Sequence, residues 1–143
     1  MRVRDVLSGK GSAVATIAPT ATIVEVVAVL AEHNIGALVV TEDGSSVAGI
    51  VSERDVVRAL HTVGADLLTQ PVASIMTIQV NTCGPTDEIR ALAKTMTDGR
   101  FRHMPVVLDG SLAGIVTIGD IVKNRIDELE TEKSQLVGYI SAP

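Results

Sequence analysis

The chain carries one ten-residue pattern twice, and this repetition limits its possible folds more than any other feature of the sequence. Residues 48–57 read AGIVSERDVV, and residues 113–122 read AGIVTIGDIV. Both contain Ala-Gly-Ile-Val, a hydroxyl residue, two variable positions, Asp and two branched apolar residues. The flanking segments also align, with one small offset, when Pro19 is placed over Pro85. Because the match extends over whole units, the sequence indicates an internal duplication.

Each unit has the same predicted order of elements, β-α-β-β-α. An extended segment precedes the proline, and the residues after it place apolar side chains at helical spacing. We expect Thr20 and Thr86 to cap these helices. Two strands joined by an Asp-Gly turn follow in each unit, and a second helix begins directly after the repeated motif.

The strands are almost continuously apolar, which favours sheets covered by helices. A single unit would leave one sheet face exposed, whereas two packed copies can bury it. The fold class we expect is therefore a mixed α+β or α/β arrangement of two β-α-β-β-α repeats. We place unit one at residues 1–65, with a leading helix over residues 1–8, and unit two at residues 66–127. Residues 128–143 are expected to form an exposed or oligomer-facing helical tail.

The composition excludes several classes of function. The net charge is −5, without a cluster of Lys and Arg, and the only aromatic residues are Phe101 and Tyr139. Nucleic acid is thus a poor partner, since base stacking needs aromatic platforms and phosphates need basic side chains. Cys83 is the only cysteine and is expected to be a packed thiol without a disulfide. We find no signal peptide and no apolar run long enough to span a membrane, and expect a soluble, cytoplasmic protein.

The repeated motif has two compatible interpretations. In the first, Ser52 with Asp55 and Thr117 with Asp120 form capping boxes at the start of a helix. In the second, the carboxylate accepts hydrogen bonds from the two adjacent hydroxyls of a ribose. The helix N-terminus is partly positive, which keeps the acid ionised and favours a nearby phosphate.

GIVSERD and GIVTIGD resemble the signature of cystathionine β-synthase (CBS) domains, which occur in tandem as a Bateman module. The strands IGALVV and FRHMPVV and the order of elements are also similar, so the resemblance covers roughly residues 1–127. Lys10 with Gly11, the segment RFRH and the helical tail are similar to a stand-alone bacterial subgroup. The resemblance implies two units packed about a pseudo-twofold axis. It also implies two clefts that bind AMP, ADP, ATP, NAD(H) or S-adenosylmethionine, and no metal.

For the cleft of Asp120, which we rank first, the resemblance implies that the aspartate binds the ribose and that Thr117 binds ribose or phosphate. Ile115 would pack on the base, and Arg102 and His103 would meet phosphate. The entry strand of unit one and its second strand would contribute the remaining residues, which are Lys10, Gly11, Ser12, Ile35 and Gly36.

For the cleft of Asp55, the matching positions of the motif are Ile50 and Ser52. Gly36 and Ala37 stand where the other cleft has its basic pair, which weakens the expectation of phosphate binding, although Arg54 could compensate. Unit two would contribute the remaining residues, which are Ile78, Val80 and Phe101.

The function we expect is a regulatory module that senses an adenosine-containing ligand. A homodimer is expected, with the apolar helices at residues 56–60 and 121–126 as contact faces, and the regulated partner protein is not identified by the sequence. The alternative is a ligand-free structural dimer in which the aspartates act only as caps. A small enzyme is disfavoured, because neither a Ser-His-Asp or Cys-His set nor metal-ligand spacing is evident.

Overall fold

The computed structural model describes all residues from Met1 to Pro143. It confirms a mixed α/β fold with two repeats and a long C-terminal helix. In chain order the elements are α1 (Val3–Lys10), β1 (Thr16–Ile17), α2 (Ile23–His33), β2 (Ala37–Val40), β3 (Gly49–Ser52), α3 (Glu53–Val63), α4 (Ile89–Gly99), β4 (His103–Leu108), β5 (Ser111–Thr117) and α5 (Ile118–Ser141). Two short 3₁₀ helices, Ala65–Thr69 and Val72–Ser74, lie between α3 and α4.

The two sheets are related but unequal. In unit one, β1 pairs parallel with β2, and β2 pairs antiparallel with β3. In unit two, β4 and β5 form an antiparallel hairpin, and the strand expected before Pro85 is reduced to one parallel bridge between Cys83 and Val106. Cys83 accepts a hydrogen bond from Val107 N at 2.8 Å and donates one to Pro105 O at 3.0 Å. The predicted β-α-β-β-α order is therefore complete in unit one and abbreviated in unit two.

The first helix of each unit begins too late in the chain for Thr20 or Thr86 to be its N-cap residue. Ala21 N donates to Ala18 O, so Pro19 and Thr20 lie in a turn. The cap is Thr22, whose Oγ1 accepts from Glu25 N at 3.3 Å while the Glu25 carboxylate accepts from Thr22 N at 3.1 Å. The prediction that Thr20 caps α2 is thus wrong, because the proline turn adds two residues before the helix.

The same turn precedes α4. Asp87 N donates to Gly84 O, and the helix starts after Glu88 without a side-chain cap. The prediction that Thr86 caps α4 is therefore also wrong. Thr86 O instead accepts a hydrogen bond from Arg2 Nη1 at the start of α1.

The segment that leads into each unit packs against the other unit. Val3 of α1 is fully buried in the core of unit two, and its backbone N donates to Asp87 O at 2.9 Å. Val72 occupies the matching place in unit one, where its backbone N donates to Ala21 O at 2.7 Å. These equivalent contacts tie the leading helix to unit two and the connecting segment to unit one. They therefore hold the two units together.

Each unit has its own apolar core, as expected for a duplicated domain. Nine buried residues form the core of unit one: Ile23, Val26, Leu30, Leu38, Val40, Val51, Val56, Leu67 and Val72. Nine others form the core of unit two: Val3, Cys83, Ile89, Leu92, Met96, Met104, Val106, Val116 and Ile121. The final helix, α5, continues without interruption past residue 127, and its last turns expose Leu136, Val137, Tyr139 and Ile140.

Candidate functional site

Both copies of the motif stand where a strand ends and a helix begins. Ser52 ends β3, and its Oγ accepts from Asp55 N at 3.3 Å, while Asp55 Oδ2 accepts from Ser52 N at 2.8 Å. Thr117 ends β5, and its Oγ1 accepts from Asp120 N at 3.2 Å, while Asp120 Oδ2 accepts from Thr117 N at 2.9 Å. The predicted capping boxes are therefore present in both units.

The capping bonds use only one oxygen of each carboxylate. Oδ2 of Asp55 and Oδ2 of Asp120 accept every hydrogen bond that these side chains make within the chain. Oδ1 of each residue has no partner in the protein. An ionised carboxylate at a helix N-terminus has several lone pairs and is stabilised by the helix dipole. Each motif thus keeps one charged acceptor available beside its cap.

Backbone pairing brings equivalent loops to both motifs. Glu53 N donates to Gly36 O at 2.9 Å, and Ile118 N donates to Arg102 O at the same distance. Each bond ties the first residue of a motif helix to the residue that precedes the central strand of its own unit. Gly36 and Arg102 are therefore structurally equivalent, and the loops around them form the rims of two clefts.

The larger cleft has a volume of about 680 Å³ and lies beside Thr117. Seven of the ten residues predicted for it line its wall: Lys10, Ile35, Gly36, Arg102, His103, Ile115 and Thr117. Asp120 is not part of this lining, but its Oδ2 is 2.6 Å from Nζ of the lining residue Lys10. Gly11 and Ser12 lie outside the lining, although the adjacent Ala13 belongs to it.

The placement of three of these residues on an entry strand is wrong. Lys10 is the last residue of α1, and Gly11 terminates that helix with a φ of +97° that favours glycine. Ser12 follows in a bend, and β1 begins only at Thr16. The leading helix has the eight residues expected, but it begins and ends two residues later in the chain, and this shift carries Lys10 to the cleft. Similarly, Ile35 and Gly36 precede β2, which begins at Ala37.

The smaller cleft has a volume of about 290 Å³ and lies beside Ser52 and Asp55. Six of the seven residues predicted for it line its wall: Ile50, Ser52, Arg54, Asp55, Val80 and Phe101. Ile78 does not, and it is 71 % exposed. The sequence reasoning missed several polar lining residues, which are Glu53, Arg58, Thr77, Gln79, Asn81 and Arg100. Arg58 follows Arg54 by one helical turn, and this spacing was the available signal.

Five residues form a wall that both clefts share: Gly36, Ala37, Glu53, Arg102 and His103. At Gly36, an added Cβ would lie 3.3 Å from Glu53 Oε1 and 3.3 Å from His103 Cε1. The missing side chain therefore allows these two groups to approach each other. The resemblance assigns Arg102 and His103 to the larger cleft alone, whereas they border both clefts.

Burial lowers the pKa of His103 below its ordinary value of 6.5. Glu53 and Asp120 oppose this effect, whereas Arg102 and Lys10 add to it. The imidazole is therefore neutral at pH 7, and one ring nitrogen is a hydrogen-bond donor while the other is an acceptor. An anion bound near His103 would favour the charged form and raise its pKa.

The structure contains no group of three or more His, Cys, Asp or Glu side chains arranged to hold a metal ion. None of its helices combines the length and apolar character needed to cross a lipid bilayer.

Comparison with known proteins identifies the fold. A family model described as the CBS domain matches residues 3–62 and 72–127. The CBS domain-containing protein CBSX3 of Arabidopsis thaliana, which is mitochondrial, is 37 % identical over 123 residues. The match covers 83 % of this chain but only 60 % of the Arabidopsis protein. The CBS-domain containing protein ATU1752 from Agrobacterium tumefaciens is 45 % identical with a TM-score of 0.85, and the match covers 87 % of this chain and 99 % of that one.

Two similar structures contain adenosine compounds. The CBS domain protein PAE2072 from Pyrobaculum aerophilum, complexed with AMP, is 30 % identical with a TM-score of 0.73, covering 84 % of this chain and 89 % of that one. The CBS domain pair of protein MJ0100 is 26 % identical with a TM-score of 0.77, covering 90 % and 98 %. It is in complex with 5′-methylthioadenosine and S-adenosyl-L-methionine.

Proposed function

The chain belongs to the CBS-domain family, and from this premise we propose that it is a regulatory module that binds adenosine-containing ligands in its two clefts. The bound AMP of the Pyrobaculum protein and the adenosyl ligands of MJ0100 support this class of ligand. AMP, ADP, ATP and NAD(H) are the candidates that also carry the phosphate groups for which basic side chains are available.

The observation that carries the proposal is the free carboxylate oxygen of each motif. Oδ2 of Asp55 and Asp120 is occupied by the cap, and Oδ1 is not. Adjacent ribose hydroxyls are two donors at the spacing that one carboxylate can accept. Hydrogen bonds to a charged acceptor contribute about 1.5–3 kcal/mol each. The same aspartate thus fixes the start of the helix and offers a ribose site.

The larger cleft is the first candidate for occupancy. Its volume of about 680 Å³ falls within the range of about 300–1,000 Å³ that is usual for small-molecule sites. In our proposal, Asp120 takes the ribose, Ile115 packs on the adenine, and Lys10 turns from Asp120 to the phosphate. Arg102 adds a second positive charge on the same wall.

For the module to be regulatory, ligand binding must change the surface or the arrangement that a partner protein contacts. Val57 on α3 and Val122 and Ile126 on α5 are exposed apolar side chains on the helices that follow the motifs. We propose that these helices are the contact faces of a homodimer. A ligand would shift the shape of such a dimer only if it bound one arrangement more tightly than another.

A ligand-free structural dimer is the second candidate, and the Lys10–Asp120 contact favours it. The cap and this ion pair give the Asp120 carboxylate two structural roles that need no ligand. Catalysis is not part of either proposal, because each cleft offers one motif carboxylate and no nucleophile paired with a base.

The two candidates differ in one experiment. Thermal unfolding is measured with AMP, ADP, ATP, NAD, NADH and S-adenosylmethionine for the unaltered chain and for Asp120→Asn. A ligand at 100 times its Kd should stabilise the fold by about 2.7 kcal/mol. Asparagine keeps the capping carbonyl but replaces the free acceptor by an NH₂ donor. We expect at least one ligand to stabilise the chain and Asp120→Asn to reduce the shift.

The control is Asp5→Asn, which alters the same capping position in α1, where Asp5 accepts from Arg2 N outside both clefts. It should leave the ligand shift unchanged. The absence of any shift with all six ligands would contradict the proposal and favour the structural dimer.

A further inference from the structure

The smaller cleft is lined by an unusual concentration of arginines. Its lining includes four arginines and two acidic residues, which are Arg54, Arg58, Arg100, Arg102, Glu53 and Asp55. The whole chain, in contrast, has a net charge of −5. The cleft is thus locally cationic on an acidic protein, which is the condition for attracting an anionic ligand.

None of the four arginines has an anionic partner in the structure. The basic residues of its ion pairs are Lys10, Arg90, Lys94 and Arg125. Glu53 and Asp55 balance only two of the four positive charges, so the lining of the cleft keeps a local excess of positive charge. These unpaired guanidinium groups are therefore available to an anionic ligand.

The arginines approach the cleft from both units. Arg54 and Arg58 lie four residues apart in the first turns of α3, so they share one helix face. Arg100 ends α4 in the left-handed conformation, where its backbone N donates to Met96 O and Thr97 O. Arg102 follows it just before β4. One pair thus comes from α3 and the other from the segment between α4 and β4, and both line the cleft, which suits a chain of phosphates.

The larger cleft has a different charge arrangement. Lys10 and Arg102 are the basic groups of its lining, and Lys10 is already paired with Asp120. Guanidinium groups bind phosphates through two parallel hydrogen bonds, whereas the lysine ammonium acts as a point charge. The two clefts should therefore differ in the number of phosphates that they favour.

We propose that the smaller cleft binds adenosine ligands that carry two or more phosphoryl groups, and that Arg54, Arg58 and Arg100 select them by phosphate number. This inference rests on the proposed function and adds a ligand class for one cleft. A volume of about 290 Å³ is at the lower end for a ligand site, so the nucleoside would fill it. The phosphates would then extend to the exposed guanidinium groups at its rim.

The test uses Asp120→Asn, which weakens ribose binding in the larger cleft, as the background. Adenosine, AMP, ADP and ATP are titrated by calorimetry, at low and at high ionic strength. We expect ATP to bind at least about tenfold more tightly than AMP, since each added charged hydrogen bond has about this effect. Arg58→Gln should remove most of this difference while leaving AMP affinity nearly unchanged. The control, Arg4→Gln, removes the same charge from an exposed position on α1 outside both clefts.

Equal affinities for AMP and ATP, or an equal loss of both in Arg58→Gln, would overturn the inference and leave the proposed function standing. Inorganic tripolyphosphate is the second probe. If it binds in an Arg58-dependent manner while no adenosine compound binds, the polyphosphate site is supported and the proposed function fails. If neither tripolyphosphate nor any adenosine compound binds, both are wrong.

Discussion

Lys10 Nζ lies 2.6 Å from Asp120 Oδ2, so the end of the leading helix pairs with the carboxylate at the start of the last helix. The side chains are 31 % and 19 % exposed, which leaves the ion pair partly accessible to solvent. The contact joins residues 110 positions apart in the chain. Because Lys10 also lines the larger cleft, a ribose bound by Asp120 must share or displace this contact.

Replacing Lys10 by Met should change how the larger cleft distinguishes a nucleoside from a nucleotide. The free carboxylate would bind adenosine up to about fivefold more tightly, since partly exposed ion pairs contribute about 0–1 kcal/mol. AMP would lose the cation that we assign to its phosphate, so its advantage over adenosine would shrink. Calorimetric titration of both compounds measures the change. Lys94→Met, which breaks an exposed ion pair with Asp98 outside both clefts, should alter neither affinity.

A side chain at Gly36 should impair both clefts at once. Even a Cβ there meets Glu53 and His103 at 3.3 Å, and the γ carbons of valine require the shared wall to move. We expect Gly36→Val to weaken AMP and ATP binding by about tenfold or more and to lower the free energy of unfolding by about 1–3 kcal/mol. The control is Gly138→Val, where nothing lies within 4 Å of the new atom. Loss of binding in one cleft alone would contradict the shared wall.

The free energy of unfolding should decrease when His103 becomes protonated. Because burial lowers the pKa of His103 in the folded state, the unfolded chain binds more protons below pH 6.5. The contribution to stability is therefore present above pH 6.5 and is lost as the pH falls through the lower folded pKa. Urea unfolding between pH 7.5 and 5 should show a smaller decrease for His103→Gln than for the unaltered chain. The exposed His61, replaced by Gln, provides the control.

Nucleotide affinity should depend on pH in the opposite direction, because a bound phosphate raises the pKa of His103. The anion favours the charged imidazole, so nucleotide binding should take up a proton as the pH falls below 6.5 and should become tighter. Titrations in buffers of different ionisation enthalpy measure the uptake. An uptake that persists in His103→Gln would assign the proton to another group.

The two glycines that precede the repeated Ile-Val should respond differently to alanine. A Cβ at Gly49 would lie 2.9 Å from the backbone oxygen of Thr77 and 2.8 Å from Met76 Sδ, whereas one at Gly114 meets only the side chain of Leu7. A flexible side chain can move away, but backbone cannot do so without wider rearrangement. We expect Gly49→Ala to cost about 1–3 kcal/mol and Gly114→Ala distinctly less, as measured by urea unfolding. Equal costs would contradict this assignment of the contacts.

Local patterns predicted the elements of this fold. The capping boxes of Ser52 and Thr117 are set by residues three positions apart, and the helices follow apolar spacing within a few turns. The tight turn at Asp109 and Gly110, both with positive φ, is likewise a short-range feature. The prediction of the same turn in unit one is wrong, because a longer loop that contains Asp43 and Gly44 joins Val40 to Gly49. These properties depend on few neighbours, so the sequence contains the necessary information.

Contacts between residues far apart in the sequence could not be predicted from local patterns. Nothing near Val3 indicates that it is buried in unit two, since that contact depends on how the units assemble. The position of Lys10 beside Asp120 depends on the same packing, as does the exposure of Ile78 beyond the smaller cleft. Arg58 and Arg100 lie outside the positions that the resemblance assigns to the clefts, although Arg58 follows Arg54 by one helical turn and Arg100 opens the segment RFRH. The shape of the clefts, and not the residue types, brings them together.

The most direct test of the account compares AMP with its 2′,3′-dideoxy analogue in calorimetric titrations of the unaltered chain and of Asp55→Asn/Asp120→Asn. If the free oxygens of these aspartates bind the ribose, AMP should bind about 100-fold or more tightly than the analogue, as two hydrogen bonds to a charged group require. In the double variant, whose caps are kept, this difference should largely disappear. Equal binding of AMP and the analogue by the unaltered chain would contradict the account and leave the two aspartates as helix caps.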